Sequence, residues 1–429
     1  MQKILRQVLA LIKPSRREMA AEKAFTKLLV EHIRLNAPRG CEVVLTGSMA
    51  KRTFLREKRD VDVFVLFRRS VARDRLEPLI KGIMEKAFPG RAYQLSYAEH
   101  PYVRFRLEGR KIDLVPAYRI ADASERLSAV DRSVLHTSFV LRNLKNVDDV
   151  LLLKSFLQAN SLYGAEIKIQ GFSGYLCELL IIRYGGFVKL LRAASGWKPP
   201  LFIDVKKYYL GHKAVREAQL RLGRFVVIDP TDANRNVAAA VSEANLARFI
   251  RLCSGFLRKP SAQFFLRKPE SFEDKVSRMA RGASVFMVAL PRPDVVDDVL
   301  WGQLHRMLGQ MEHHLVEFGP KIILADDSQH IVRLALALEK DLLPPTMEVE
   351  GPPLGMKQHA KRFKDSHRGA RFISRKKKLF AIVKRPVTHA EAAIQEFFRK
   401  FSKTKSHLAC SEELVVVEKV RKPLKSNSK

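Results

Sequence analysis

Residues 60 to 67, Asp-Val-Asp-Val-Phe-Val-Leu-Phe, constrain the fold more than any other part of the chain. β-Branched and aromatic residues dominate the segment, which predicts a strand. Its apolar run belongs in a buried sheet, yet it opens on two acids. Successive side chains of a strand alternate faces, so Asp60 and Asp62 point the same way with their oxygens close together.

Two carboxylates that close repel each other unless something neutralises them. A divalent metal does so directly, and Mg²⁺ prefers carboxylate oxygens while keeping water or phosphate ligands. The stretch "YVRFRLEGRKIDLVPAY" reads as a hairpin turning at Gly109, with Asp113 between Ile112 and Leu114 in its second arm. If Asp113 lies beside the first pair, three carboxylates can hold two metals ~3.5 to 4 Å apart and align a hydroxyl with a nucleoside triphosphate. Taken alone, an Asp-x-Asp pair reads more readily as a solvated strand end. The loop upstream adds to the metal reading. Gly47 lets the backbone turn, Ser48 offers a hydroxyl, and "SMAKRTFL" starts a helix-like segment whose free amides can hold phosphate oxygens.

The charge balance points the same way. Lys and Arg number 78 against 45 Asp and Glu, a formal net charge of +33. Solubility does not need so large an excess, and a polyanionic partner such as nucleic acid is its usual reason; adaptation to an unusual cytosol is the alternative. Four cysteines, Cys41, Cys177, Cys253 and Cys410, lie far apart without zinc-ligand spacing, which fits a reducing cytosol. "ILRQVLALIKPSRRE" carries charges within its apolar stretch and has no cleavage site, so neither a secretory signal nor a membrane function is expected.

Along the chain, Ser15 to Glu18 reads as a capping box opening the helix "EMAAEKAFTKLLVEHIRLN", which Pro38 and Gly40 end. "CEVVLTG" is a strand and "EPLIKGIMEKAF" a helix, so the first ~140 residues read as α/β. From residue 148 the texture turns helical: "DDVLLLKSFLQANSLYG", "SGYLCELLIIRYGGFVKLLRAAS" and "RNVAAAVSEANLARFIRLCSGFL" carry apolar residues at three and four spacing. "ASVFMVALPRP", "DVVDDVLWGQLHRMLGQMEHHLVEF" and "HIVRLALALEKDL" read as strand, helix and strand of a small split α/β domain. Beyond "GPPLG" the chain is densely basic, with Arg371, Lys376, Lys377 and Lys378 beside Phe372 and Phe380, and the last ~10 residues read as a frayed tail.

Gly-Ser, a short helix, Asp-x-Asp and a third Asp on a later strand resemble the nucleotidyltransferase superfamily signature. "VDRSVLHTSFV", "LLLKSFLQANSLYGAE", "GFSGYLCELLIIRYG" and "DPTDANRNVAAAVS" then resemble the archaeal class of CCA-adding enzyme, closely over roughly residues 1 to 260 and more loosely beyond, at "FMVALPRP" and "VEGPPLG". The resemblance implies a polymerase-β-like α/β head over residues 1–145, a helical neck over 146–258, and an α/β body with a basic tail over 259–429 that grips the acceptor and TΨC arms of tRNA. It implies Asp60, Asp62 and Asp113 as Mg²⁺ carboxylates, with Asp113 also suited to deprotonating the RNA 3'-hydroxyl. It implies Ser48 and Lys51 at the triphosphate, His136, Lys154 and Tyr163 as further nucleotide contacts, and Arg235 near the base. Arg235 fits a structural pairing with Asp229 or Asp232 as well, and the basic C-terminal stretch fits a solvated face as well as a tRNA surface.

Two positions depart from the common family pattern. Many members have Glu where this chain has Asp60, and Arg where it has Lys51, which turns a bidentate phosphate contact into a point charge. The implied reaction is untemplated transfer of CMP, CMP and AMP from CTP and ATP to a tRNA 3' end, releasing pyrophosphate, in the cytoplasm; homodimerisation is left open. A poly(A)-polymerase-like or oligoadenylate-synthetase-like transferase using ATP alone is the alternative enzyme, and a catalytically silent RNA-binding module the alternative of another class.

Overall fold

The computed structural model describes residues 1–97, 101–266 and 270–420. The chain divides into two compact units, Met1–Pro269 and Glu270–Lys429.

The first unit opens with helices α1 (Gln2–Ile12) and α2 (Arg16–Asn36). The Ser15 hydroxyl and the Glu18 carboxylate cap α2 reciprocally, as the spacing predicts. Strand β1 (Glu42–Thr46), the five-residue helix α3 (Gly47–Lys51), β2 (Asp60–Phe67), α4 (Leu76–Ala87), β3 (Tyr93–Tyr97), β4 (Pro101–Leu107) and β5 (Arg110–Tyr118) complete the head. The sheet order is β1-β2-β5-β4-β3, with β2 and β5 parallel and the other pairs antiparallel.

The apolar run of β2 is buried on both faces. Val61, Val63, Val65 and Phe67 pack with Leu29 and Ile33 of α2 and Ile80 and Met84 of α4. Phe64 and Leu66 pack on the other side with Val115, Ala117 and Val134, the last on α5 (Arg132–Asn143). Two-sided burial is why hydrophobicity does not alternate beyond Asp62. The acids sit at the one end of the strand that the layers leave partly open.

The neck contains α6 (Val147–Ala159), α7 (Gly174–Tyr184) and α8 (Phe187–Ala194), then β6 (Leu201–Asp204), α9 (His212–Leu222), β7 (Phe225–Asp229), β8 (Asp232–Asn236), α10 (Glu243–Arg258) and α11 (Gln263–Leu266). In α6 every residue from Val150 to Leu157 is buried, because α1, α7, α8 and α11 surround it. Three expectations change here. The long helix read across residues 173–195 breaks at Gly185 and Gly186, whose φ values of 71° and 142° suit glycine. "RNVAAAVS" is not helical: Arg235 lies on β8, where the Asn236 side chain bonds the backbone of Val227 and Phe225, and α10 starts only after Ser242 caps it. The domain boundary expected at residue 258 falls inside the first unit, since Phe265 of α11 joins the neck core and its carbonyl accepts the Ser155 hydroxyl at 3.0 Å.

In the second unit, α12 (Phe272–Met279) precedes β9 (Ser284–Pro291), α13 (Asp297–His314), β10 (Pro320–Asp327) and β11 (Ile331–Leu338). Strands β12 (Thr346–Pro353), β13 (Arg371–Arg375) and β14 (Lys378–Lys384) follow, with α14 (Lys357–Ser366) between the first two, and α15 (Ala390–Phe401) and β15 (Val416–Lys419) come last. The first sheet has the order β10-β11-β9-β15, with α13 and α15 sharing its core through Leu304, Met307, Ile394 and Phe398. The sequence reading missed β10. The stretch read as a basic tail is folded: β12, β14 and β13 form an antiparallel sheet, and Lys376 and Lys377 occupy its turn at φ 51° and 61°. The frayed tail expected beyond residue 420 lies outside the described residues.

Candidate active site

The sheet register brings the acids together. Asp62 on β2 is paired with Asp113 on β5 across two parallel strands, and both line a cleft of about 290 Å³ with Gly47, Lys51, His136 and Tyr175. Asp60 lies one pleat away, opposite Lys111. Burial pushes the Asp62 carboxyl up to about 6, and the nearby Asp113 and Asp60 add to the shift, while Lys51 and Lys111 oppose it. Asp113 is held on its other side by Arg104 of β4, whose Nε and Nη2 donate to the two carboxylate oxygens at 2.7 and 2.8 Å. Among the described residues, no three His, Cys, Asp or Glu side chains stand together as a ready metal-ligand group.

Gly47 opens α3 at φ 67°, with Ser48 next to it. Lys51 ends that helix, buried, and its Nζ donates to Oε2 of Glu178 on α7 at 2.6 Å. Oε1 of the same carboxylate accepts the Thr53 hydroxyl at 2.6 Å. Lys154 of α6 donates to the Thr53 carbonyl at 2.7 Å and stands 3.8 Å from Glu178. Burial holds the Lys154 ammonium below the ordinary lysine range, with Glu178 opposing. Glu178 is completely buried, so one carboxylate ties α3 of the head to two helices of the neck. Tyr163 lies close by: a methyl group on Gly174 would come within 3.1 Å of its hydroxyl and 3.5 Å of the Lys154 Nζ.

His136 hydrogen-bonds Oδ2 of Asp229 at 2.8 Å and stacks on Tyr175 with ring centres 4.1 Å apart. Burial, with Arg235 and Arg132 near, pushes the imidazole toward its neutral form against the pull of Asp229. Asp229 is fully buried; against that burial, His136, the Thr231 amide and Arg235 hold its carboxyl well below the usual range. Arg235 Nη1 donates to the same Oδ2 at 2.8 Å, so of its two candidate partners it takes Asp229. Asp232 is taken by Arg132 at 3.1 Å and Arg126 at 3.4 Å.

Asp62, Asp113, Lys51 and His136 therefore line one cleft, whereas Asp60 and Ser48 are not among the residues that line it, Lys154 bonds Thr53 beside Glu178 with the Tyr163 hydroxyl near Gly174, and Arg235 reaches His136 through Asp229. Sequence reasoning missed Glu178, Arg104 and Tyr175. Glu178 left a signal, a lone acid inside the apolar run "LCELLII". Arg104 left one too, since a hairpin turning at Gly109 sets it across from Asp113.

Three consecutive stretches of the chain match described families. Residues 28–136 match the nucleotidyltransferase domain, residues 148–266 the second domain of tRNA nucleotidyltransferase, and residues 281–411 the C-terminal domain of the CCA-adding enzyme. The CCA-adding enzyme of Methanocaldococcus jannaschii is 36% identical over 403 residues, covering 90% of this chain and 88% of that protein. That of Methanosarcina barkeri is 34% identical over 429 residues, covering 96% and 92%, and that of Pyrobaculum neutrophilum 38% identical over 320 residues, covering 73% and 72%. Among solved structures, a cytoplasmic RNA terminal U-transferase aligns at a TM-score of 0.47 and 16% identity, over 63% of this chain and 100% of that one. With relatives above 30% identity matched over most of their own length, this chain belongs to the CCA-adding enzyme family.

Proposed function

We propose that the protein adds CCA to the 3' end of tRNA without a template, using CTP and ATP and releasing pyrophosphate. The observation that carries this reading is the pairing of Asp62 with Asp113 in a cleft that Lys51 and His136 also line.

The acids suit a divalent metal. Their donors are hard carboxylate oxygens, their crowding adds to the rise of the Asp62 carboxyl, and the missing side chain at Gly47 lets the Asp62 carboxylate pack directly against the turn into α3. Asp60, Asp62 and Asp113 would hold Mg²⁺, which when bound polarises the α-phosphate and neutralises charge on the leaving pyrophosphate. The RNA 3'-hydroxyl attacks that phosphorus and loses its proton to the Asp113 carboxylate. Lys51 and Ser48 bind the triphosphate, a contact blind to the base. His136, kept neutral beside Asp229, donates or accepts one hydrogen bond to the nucleotide rather than adding charge. Lys154 holds the Thr53 carbonyl beside Glu178, the partner of Lys51, and Arg235 orients His136 by sharing Asp229.

The tRNA arms then fall to basic surface, including the exposed turn at Lys376 and Lys377 in the second unit. The setting is a reducing cytoplasm; among the described residues no helix is long and apolar enough to cross a membrane, and all four cysteines are free. Pyrophosphate release tests the reading. It should require tRNA lacking its CCA end, CTP and Mg²⁺ together, and release with ATP as the sole nucleotide on that RNA would contradict it.

A further inference from the structure

Asp113 sits at the centre of the sheet with different neighbours on its two sides. Across the parallel pairing it meets another acid, Asp62; across the antiparallel pairing it meets Arg104. Arg104 grips both oxygens of Asp113, and its Nη2 also donates to the Tyr102 hydroxyl at 2.9 Å, at the wall of the same cleft. The Arg104 side chain is 33% exposed and that of Asp113 16%, so the pair stands at the edge of solvent rather than within the core.

A pair there adds little to fold stability, yet the guanidinium presents a full positive charge to the carboxylate that the reaction needs. Each Asp113 oxygen keeps a lone pair, but a divalent cation arriving there would meet a fixed cation whose two hydrogen bonds already draw on the same charge. We propose that Arg104 is a built-in counter-cation, which holds Asp113 in place while no metal is bound and yields at least one of its oxygens when a divalent cation enters. Tyr102 offers the displaced guanidinium a hydroxyl partner and a ring face, the latter already 5.3 Å from the Arg104 guanidinium carbon. Arg104 then sets how much metal is needed to charge the site, and it keeps two facing acids compatible in metal-free protein. Because this exchange rests on the reading of Asp62 and Asp113 as metal carboxylates, its test must separate the two.

Full-length protein is titrated with Mn²⁺, free ion being followed by electron paramagnetic resonance, and melting is recorded with and without the metal. Arg104→Gln should bind Mn²⁺ about tenfold tighter than wild type, the factor that loss of a charge-assisted pair corresponds to. Arg104→Lys, which keeps the charge but cannot grip both oxygens, should fall between them. Arg104→Gln should also gain more melting temperature from Mn²⁺ than wild type does, and Asp113→Asn should lose the tight site. Unchanged or weaker binding by both Arg104 variants, with Asp113→Asn still losing the site, would make Arg104 an orienting residue and overturn the exchange alone. Wild-type affinity in Asp113→Asn would overturn the metal reading and the exchange with it.

Discussion

Gly47 and Asp62 approach so closely that a methyl group built on Gly47 would lie 1.9 Å from Oδ2 of Asp62. The turn into α3 and the placing of the carboxylate are thus one arrangement, and the φ of 67° at Gly47 adds a second reason for glycine. Gly47→Ala should cost about 1 to 3 kcal/mol of stability from backbone strain. It should also lower nucleotide incorporation about a hundredfold by displacing the carboxylate. Thermal melts and initial rates check both, and a variant with wild-type rate would separate the turn from the chemistry.

The raised carboxyl of Asp62 gives the metal-free protein a defined pH response. The native state keeps a proton up to about pH 6 that the unfolded carboxyl releases near its ordinary value of 3.8, so stability falls as pH rises through that window and stays reduced above it. The cost at neutral pH is about 3 kcal/mol. Asp62→Asn should therefore be the more stable protein at pH 7.5 without metal, have little advantage at pH 4, and be inactive at both. Denaturant melts across this range check the sign; a wild type that gains stability from pH 4 to 7 relative to the variant would contradict it.

Glu178 compensates Lys51 directly and Lys154 at longer range in a buried cluster. Glu178→Gln leaves buried ammonium charge unpaired and should destabilise the protein by about 3 to 5 kcal/mol. Lys51→Met in the Glu178→Gln background should recover part of that loss, which a double-mutant cycle reads as coupling. Strictly additive effects would mean that the two side chains do not act as a pair.

The basic turn at Lys376 and Lys377 calls for point changes rather than truncation. Removing everything after Gly355 would strip β12 of its partner β14 and take Ile394, Phe397 and Phe398 from the core of the second unit. Replacing both lysines by Gln should reduce the slope of log tRNA affinity against log salt by about one for each phosphate that a lysine of the turn neutralises. An unchanged slope would assign the turn to solvent.

The head was the most legible part of the sequence, because local chemistry wrote it: a capping box at Ser15, β-branched residues after Asp62, and a hairpin glycine at Gly109. The neck misled where tertiary contacts override periodicity. "RNVAAAVS" has helical spacing, yet Asn236 pins it to β7. The basic stretch at 371–385 reads as a tail by composition, since alternate strand positions such as Leu379 and Ala381 are few beside its many lysines and arginines. In the site, residues that carry chemistry within one motif were visible, whereas Tyr175 and Glu178 act through packing between segments far apart in the chain, and Arg104 acts through the register of the hairpin it shares with Asp113.

The most direct measurement of the central claim resolves product lengths from tRNA lacking its CCA end, incubated with Mg²⁺ and labelled nucleotides. With CTP alone the RNA should grow by two residues and stop; with CTP and ATP it should grow by a third, an adenosine, and stop again, the stepwise lengths that CCA addition requires. A run of adenosines from ATP alone, or no extension by protein shown to be folded, would contradict the account.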